Sequence, residues 1–142
     1  MRNAVAAVAI LACTLAAGCS GTADDDAAIS HVHGLAVTPE GTLLVATHHG
    51  MVKGVAAGEA WSWRDVGRDR FDFMGFTQDR VEPGTYYASG HPTDAAAYGG
   101  PHLGLLRSRD EGATWETRSL RGEVDFHALT AMGSGAGHVA GW

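Results

Sequence analysis

Short apolar segments alternate with glycine-rich and polar turns from residue 30 to the end of the chain. Each segment is only one strand long and is rich in Val, Leu, Thr and aromatic residues, a pattern typical of strands. The predicted strands lie near 33–38, 42–47, 50–54, 61–66, 74–78, 84–89, 103–108, 114–120, 127–131 and 138–142. The pattern predicts an all-β fold, and it predicts no helix after an N-terminal signal-peptide helix.

An internal repeat underlies this pattern. Residues 50–64 align without a gap with residues 104–118, and Trp61 falls on Trp115. Three strand openings are also alike and lie 41 and 53 residues apart, the longer spacing reflecting an insertion at 92–103. These openings are His31–Leu35, Asp72–Phe76 and Asp125–Leu129. A period of this length with four short strands per unit predicts β-propeller blades of four antiparallel strands.

The repeat predicts the domain organisation of the chain. We expect one blade at 30–70, a second at 71–122 and a partial blade at 123–142. Propellers close with four to eight blades, so about two and a half blades leave the ring incomplete. We therefore expect a truncated piece of a larger propeller. A ring completed by several chains is the alternative.

The N-terminal segment has the features of an export signal. Arg2 precedes an apolar run too short to span a bilayer, and the sequence LAAGC ending at Cys19 resembles a bacterial lipobox. We therefore predict a lipoprotein signal peptide at 1–18 and lipidation of Cys19. An ordinary secretory signal cut nearby and an uncleaved anchor are the alternatives. Cys13 would leave with the signal, so the mature chain would have no disulfide.

The segment after the signal peptide is small, polar and acidic. We predict that residues 19–29 form a flexible tether between the membrane and the folded domain. The protein would then be exported and lipid-anchored at the outer side of the cytoplasmic membrane or in the cell envelope. The formal net charge of −6 argues against nucleic acid as a partner.

The stretch from Ser108 to Trp115 fits the Asp-box pattern S-x-D-x-G-x-T-W. An aspartate can accept hydrogen bonds from backbone N–H groups of its own turn, and a glycine can take the positive φ that such a turn needs. A tryptophan supplies an apolar anchor beneath the hairpin. The structural Asp-box residues are Ser108, Asp110, Gly112, Thr114 and Trp115. Residues 54–61 form a decayed copy that kept only the glycine and the tryptophan.

Several segments together resemble a known family. They are HVHGLAV, HHG, FDFMGF, SGHP, LGLLRSRDEGATW and DFHAL. The chain resembles sialidase-type Asp-box (BNR) repeat β-propellers, and in particular a group of bacterial exported lipoproteins described as glycosylhydrolase-like. That description rests largely on the fold, so the resemblance implies a propeller and transfers little chemistry.

The repeat predicts which polar residues share a face. Strand openings and the ends of second strands should meet at the upper face of the ring, and the Asp-box turn should lie on the lower face. The upper face would carry His31, His33, His48, His49, His91, His102, His127, Asp72 and Asp125.

Histidines and carboxylates on one face favour ligand binding. The candidates for a ligand or a metal ion are His31, His33, His49, His91 and His127. Imidazole and carboxylate groups bind divalent transition metals, and the H-x-H pattern offers two ligands from one strand. A glycan, an anion or a protein is an equally open ligand, no cofactor is certain, and the membrane is reached through Cys19. The alternative is that these side chains only hydrogen-bond loop backbones.

Two other functions stay open. A glycoside hydrolase could use Asp72 and Asp125 as its carboxylate pair, but the arginine cluster and the tyrosine–glutamate pair of sialidases are not visible. Tyr86 and Tyr87 are mid-strand and should pack instead. A truncated product without function is the other possibility. The tryptophans and the phenylalanines beside the strand openings are expected to be core.

Overall fold

The computed structural model describes residues 29–133 and 137–142. These residues form an all-β fold of antiparallel sheets, as the apolar pattern predicts. The predicted signal peptide, Cys19 and all but the last residue of the predicted tether lie outside the described residues. Within the described part of the chain, no helix has the length and apolar character needed to cross a membrane.

Two four-stranded sheets and one hairpin make up the fold. In both sheets the strands pair in sequence order as antiparallel neighbours. The first sheet contains β1 (Val32–Val37), β2 (Leu43–Thr47), β3 (Gly50–Ala57) and β4 (Ala60–Val66). The second contains β5 (Asp72–Gln78), β6 (Tyr86–His91), β7 (Leu105–Ser108) and β8 (Glu116–Ser119). The hairpin contains β9 (Leu129–Ala131) and β10 (Val139–Gly141).

The two sheets share one backbone irregularity. The register shifts between Val32 and Gly34 in the first sheet and between Phe73 and Gly75 in the second. These positions are equivalent in the aligned strand openings, so both first strands have a β-bulge at the same place. A bulge re-aims the neighbouring side chains. The shared bulge supports the alignment of the openings.

The insertion between β6 and β7 contains a short helix, α1 (Ala95–Tyr98), which the sequence prediction missed. The Asp94 side chain accepts hydrogen bonds from the N–H groups of Ala96 and Ala97. Gly99, with φ of 93°, ends the helix in the left-handed conformation. The prediction of no helix was therefore wrong, because an alanine run between an aspartate and a glycine suffices for one capped turn.

The first strands of successive units pack on each other, β1 on β5 and β5 on β9. Glycine allows this approach at equivalent positions. A Cβ atom on Gly34 would lie 2.7 Å from Phe76 Cβ, and one on Gly75 would lie 2.3 Å from the Phe126 carbonyl oxygen. Phe73 is fully buried between the sheets, and its ring centroid lies 5.3 Å from that of the partly buried Trp115.

The four tryptophans differ in burial: Trp115 packs against the core as predicted, Trp63 is half-buried, and Trp61 and Trp142 are exposed. Trp142 is 76% exposed, so the prediction that the tryptophans are core was wrong for it. Trp61 is 42% exposed and stacks on Trp63, with ring centroids 5.8 Å apart, so the prediction that it is core was wrong. Trp61 lies on β4, the last strand of the first sheet, close to the tip of the β3–β4 hairpin. The ring on which it stacks, that of Trp63, belongs to the same strand.

The equivalent hairpins β3–β4 and β7–β8 are built differently. Strands β3 and β4 pair along their whole length, from Met51 opposite Val66 to Ala57 opposite Ala60. Strands β7 and β8 pair only as far as Arg107 opposite Glu116. Residues 108–115, which we call the Asp-box turn, make up the tip of this hairpin. The hairpin with the decayed motif is therefore held by its backbone ladder, whereas the other depends on side chains.

Candidate functional site

The Asp-box turn is a closed network of local hydrogen bonds. Ser108 Oγ donates to Asp110 Oδ1 over 2.8 Å and accepts from the Gly112 N–H over 2.8 Å. Thr114 donates to the Asp110 carboxylate through its N–H and its hydroxyl, over 2.9 and 2.6 Å. Burial raises the pKa of Asp110, but the bonds from Thr114 and Ser108 outweigh it and lower the pKa overall.

The same turn holds the two sheets together. Gly112 has φ of 85°, and a Cβ atom there would lie 3.2 Å from Met51 Cγ of the first sheet. Lys53 Nζ of β3 donates to Glu111 Oε2 over 2.5 Å. The predicted role as a structural hairpin turn therefore extends to a contact between sheets.

A cavity of about 250 Å³ lies beside the Asp-box turn. Most of its polar lining is already paired: the Arg107 guanidinium donates to Glu116 Oε1, and Asp110 is bonded to Ser108 and Thr114 within the turn. The cavity is also smaller than the roughly 300 Å³ at which small-molecule sites begin. It offers little to a ligand.

A second closed network surrounds Asp79, a buried residue in the β5–β6 turn. Its carboxylate accepts from the N–H groups of Val81, Glu82 and Gly137 and from the Tyr87 hydroxyl. Burial raises the pKa of Asp79, but these hydrogen bonds outweigh it and lower the pKa to about 2. Tyr86 and Tyr87 on β6 are both buried, as predicted for packing residues.

Six of the eight histidines of the chain lie together with two aspartates. We call this group the histidine cluster: His31, His33, His48, His91, His102, His127, Asp72 and Asp125. It is assembled from the start of β1, the β2–β3 turn, the facing ends of β5 and β6, the end of the insertion, and the segment before β9. Its members are far apart in sequence, unlike those of the Asp-box turn.

One half of the cluster centres on His48 in the β2–β3 turn. Its ring centroid lies 4.8 Å from that of His31 and 4.6 Å from that of His33. His48 Nδ1 lies 3.2 Å from Asp72 Oδ1 at the start of β5. Burial, followed by the charge of His48, lowers the pKa of His33. A lower pKa favours the neutral imidazole, the form that offers a lone pair to a ligand.

The other half centres on Asp125. His91 Nε2 lies 3.0 Å and His127 Nε2 lies 2.7 Å from Asp125 Oδ2. The ring of His102 lies 5.5 Å from that of His91, centroid to centroid. Asp72 pairs with His91 across β5 and β6, so the two halves of the cluster are continuous.

The structure places the sequence candidates as follows. His31, His33, His91, His127, Asp72 and Asp125 all belong to the histidine cluster. His49 is exposed in the β2–β3 turn, and its N–H donates to Thr47 Oγ1. From that turn it is the ring of His48 that joins the cluster. His48 and His102 were not among the candidate ligands, although the repeat placed both on the same face.

The histidine cluster contains buried polar atoms that lack hydrogen bonds. Among the described residues four buried side-chain polar atoms have no hydrogen-bond partner, and three of them belong to the cluster. They are His102 Nδ1, Asp125 Oδ1 and Asp72 Oδ1, of which Asp72 Oδ1 still has its ion pair with His48 Nδ1. The Asp125 side chain is only 8% exposed. Leaving a buried polar atom unpaired costs about 1–3 kcal/mol, so each such atom is a candidate contact for a water molecule, an ion or a ligand.

Comparisons of the chain with family models, curated proteins and solved structures find no match. Functional conclusions therefore rest on the geometry of the chain itself.

Proposed function

We propose that the protein binds a small ligand through the histidine cluster. The observation that carries this proposal is that, among the described residues, two buried side-chain atoms of the cluster have neither a hydrogen bond nor an ion pair, His102 Nδ1 and Asp125 Oδ1. The Asp-box turn and the Asp79 network are polar too, but their side chains satisfy one another. A ligand that pairs with His102 and Asp125 would recover the free energy lost by burying these two atoms.

The proposal includes the architecture expected from the repeat. We propose that the two four-stranded sheets and the following hairpin are successive units of an Asp-box β-propeller of the sialidase-type family. The shared strand order, the shared bulge and the packing of β1 on β5 and β5 on β9 support this view. In a propeller, first strands line the central channel, so the cluster would lie at the channel mouth.

The proposed location is outside the cytoplasm. The apolar run and the LAAGC sequence support export and attachment to the membrane through a lipid on Cys19. In this proposal the tether at 19–29 holds the binding domain near the membrane surface.

A glycoside hydrolase that uses Asp72 and Asp125 is the alternative. Both carboxylates lie in the cluster, which supports a joint role. Each nevertheless contacts histidine rings, His48 in one case and His91 with His127 in the other. A hydrolase of this kind needs one protonated and one ionised carboxyl group. Because both carboxylates contact imidazole rings, neither is set apart as the acid or as the base.

The test is ligand-dependent thermal stability of the purified full chain. The probes are Zn²⁺, N-acetylneuraminic acid and inorganic phosphate, each added alone. At 100 times its dissociation constant a ligand stabilises the folded state by about 2.7 kcal/mol, which raises the melting temperature by several degrees. We expect at least one probe to do so in the wild type.

Two variants locate the binding site. The double variant Asp72→Asn, Asp125→Asn keeps side-chain size and should lose the shift, with folding checked by circular dichroism. Arg109→Ala, at the cavity beside the Asp-box turn, should keep the shift. The proposal is wrong if no probe stabilises the wild type or if the double variant responds equally. Turnover of a fluorogenic sialoside by the wild type and not by the double variant would favour the hydrolase.

A further inference from the structure

Three metal-binding side chains converge within the histidine cluster. One ligand atom from each of His91, His102 and Asp125 lies within 4.8 Å of the other two. In a tetrahedral zinc site with bonds of 2.0–2.1 Å, ligand atoms are about 3.3 Å apart. A small inward movement of the side chains is therefore enough to close the set around an ion.

Hydrogen bonds hold the backbone at or next to each of these residues. His91 ends β6, and the Gly90 carbonyl before it accepts from the Leu103 N–H over 2.8 Å. The His102 carbonyl accepts from the Gly122 N–H over 2.9 Å. The Phe126 N–H, next to Asp125, donates to Ser89 Oγ over 2.9 Å. The three segments therefore hold their side chains in place before any ion arrives.

Two atoms of the triad are buried without hydrogen-bond partners. They are Asp125 Oδ1 and His102 Nδ1. The Asp125 side chain is 92% buried, since only 8% is exposed. A carboxylate oxygen and an imidazole nitrogen, both unpaired at one place, are two of the donor atoms that a divalent transition metal takes.

The hydrogen bond of His91 Nδ1 leaves His91 Nε2 as the ring nitrogen that can bind a cation. His91 Nδ1 lies 3.1 Å from the Pro101 carbonyl oxygen, which can only accept, so Nδ1 carries the hydrogen. In the neutral ring Nε2 then presents a lone pair to Asp125 Oδ2, 3.0 Å away. Two acceptors at this distance need a proton or a metal ion between them. A ligating histidine with its other nitrogen on a backbone carbonyl is the usual outer-shell arrangement at metal sites.

We propose that His91, His102 and Asp125 bind one divalent first-row transition-metal ion, with Zn²⁺ the ion that suits two imidazoles and a carboxylate. This inference rests on the proposed function, because it names the ligand of the same cluster. Three protein ligands leave one coordination position open. The exposed His127, whose Nε2 lies 2.7 Å from Asp125 Oδ2, contacts the carboxylate from outside the triad.

The experiment is a calorimetric titration of the full chain, purified without a polyhistidine tag and stripped with EDTA. We expect one Zn²⁺ per chain and no heat with Mg²⁺, which prefers oxygen ligands. His102→Ala and Asp125→Asn should each weaken Zn²⁺ binding by at least the roughly 10-fold seen on losing outer-shell partners. His138→Ala, an exposed histidine outside the cluster, is the matched control and should bind as the wild type does.

A second measurement uses only the wild type and therefore tests the inference even if the variants do not fold. In the nitrogen-15 spectrum of histidine side chains of the wild type, Zn²⁺ should shift the ring signals of His91 and His102 and leave those of His49 and His138 in place. The inference is overturned if the wild type takes up no Zn²⁺, or if only the rings of His31 and His33 respond. Its failure is separable from that of the proposed function, which survives if another probe still stabilises the wild type but not the Asp72→Asn, Asp125→Asn variant.

Discussion

The Asp-box turn and the histidine cluster are both polar, yet their hydrogen bonds are organised in opposite ways. In the turn, Ser108, Asp110 and Thr114 lie within seven residues and bond to one another. In the cluster, side chains from six segments meet, and two buried atoms, His102 Nδ1 and Asp125 Oδ1, stay without partners among the described residues. A closed local network stabilises a fold, whereas an open long-range network has capacity left for a ligand.

The largest expected effect comes from the residue that joins the two regions. Phe73 follows Asp72 of the cluster in the chain and packs on Trp115 of the Asp-box turn. Phe73→Ala should lower the free energy of unfolding by about 3–5 kcal/mol and should also weaken binding at the cluster. Urea denaturation measures the first effect. Val55→Ala, at a 43% exposed position, is the control and should cost below about 1 kcal/mol.

Removing the carboxylate of the Asp-box turn should affect stability alone. Asp110→Ala deletes the acceptor for Ser108 and for two donors of Thr114, so we expect a loss of about 2–3 kcal/mol in urea denaturation. Asp69→Ala, an exposed aspartate in the loop after β4, should change little. A variant that kept full stability but lost ligand binding would reverse the assignment of roles.

The closed hydrogen-bond network around Asp79 can be tested through the pH dependence of the free energy of unfolding. Because the pKa of Asp79 is lowered to about 2 in the folded chain from its usual 3.8, its contribution is present above about pH 4 and is lost as the pH falls towards 2. The stability difference between the wild type and Asp79→Asn should shrink by about 2 kcal/mol over that range. Urea titrations between pH 5 and pH 2 measure this. A difference that stays constant would contradict the assignment.

The smallest expected change in stability lies in the cluster. Asp125→Asn removes a buried charge with an unpaired oxygen, and it also removes the partner of His91 and His127. These effects oppose each other, so we expect less than about 1 kcal/mol in urea denaturation. The comparison fails if Asp125→Asn destabilises the chain as much as Asp110→Ala does.

The sequence predicted the strands well because their cause is local. Apolar runs bounded by glycine placed each strand to within a few residues. The helix α1 was missed because it depends on one cap at Asp94 and one left-handed glycine. Trp61 was misassigned because burial depends on which sheet faces a strand, and a repeat position does not specify this.

The histidine cluster was predictable in location but not in membership. The aligned openings and strand ends brought Asp72, Asp125 and His91 to one face. His48 takes the place that the alignment gave to His49, because the conformation of the β2–β3 turn decides which ring points to Asp72. His102 lies in the insertion, which has no counterpart in the first unit, so no repeat argument could pair it with His91.

The β3–β4 hairpin gives the protein a place where foreign sequence can be added. Its ladder is complete up to Ala57 and Ala60, and no atom of the residues that the structure describes lies within 4 Å of a Cβ atom built on Gly58. A peptide tag or a fluorophore grafted there would extend a turn that makes no close contact at that position. Because this tip and His48 lie at opposite ends of β3, the protein could be immobilised through the graft with the cluster still open to solution.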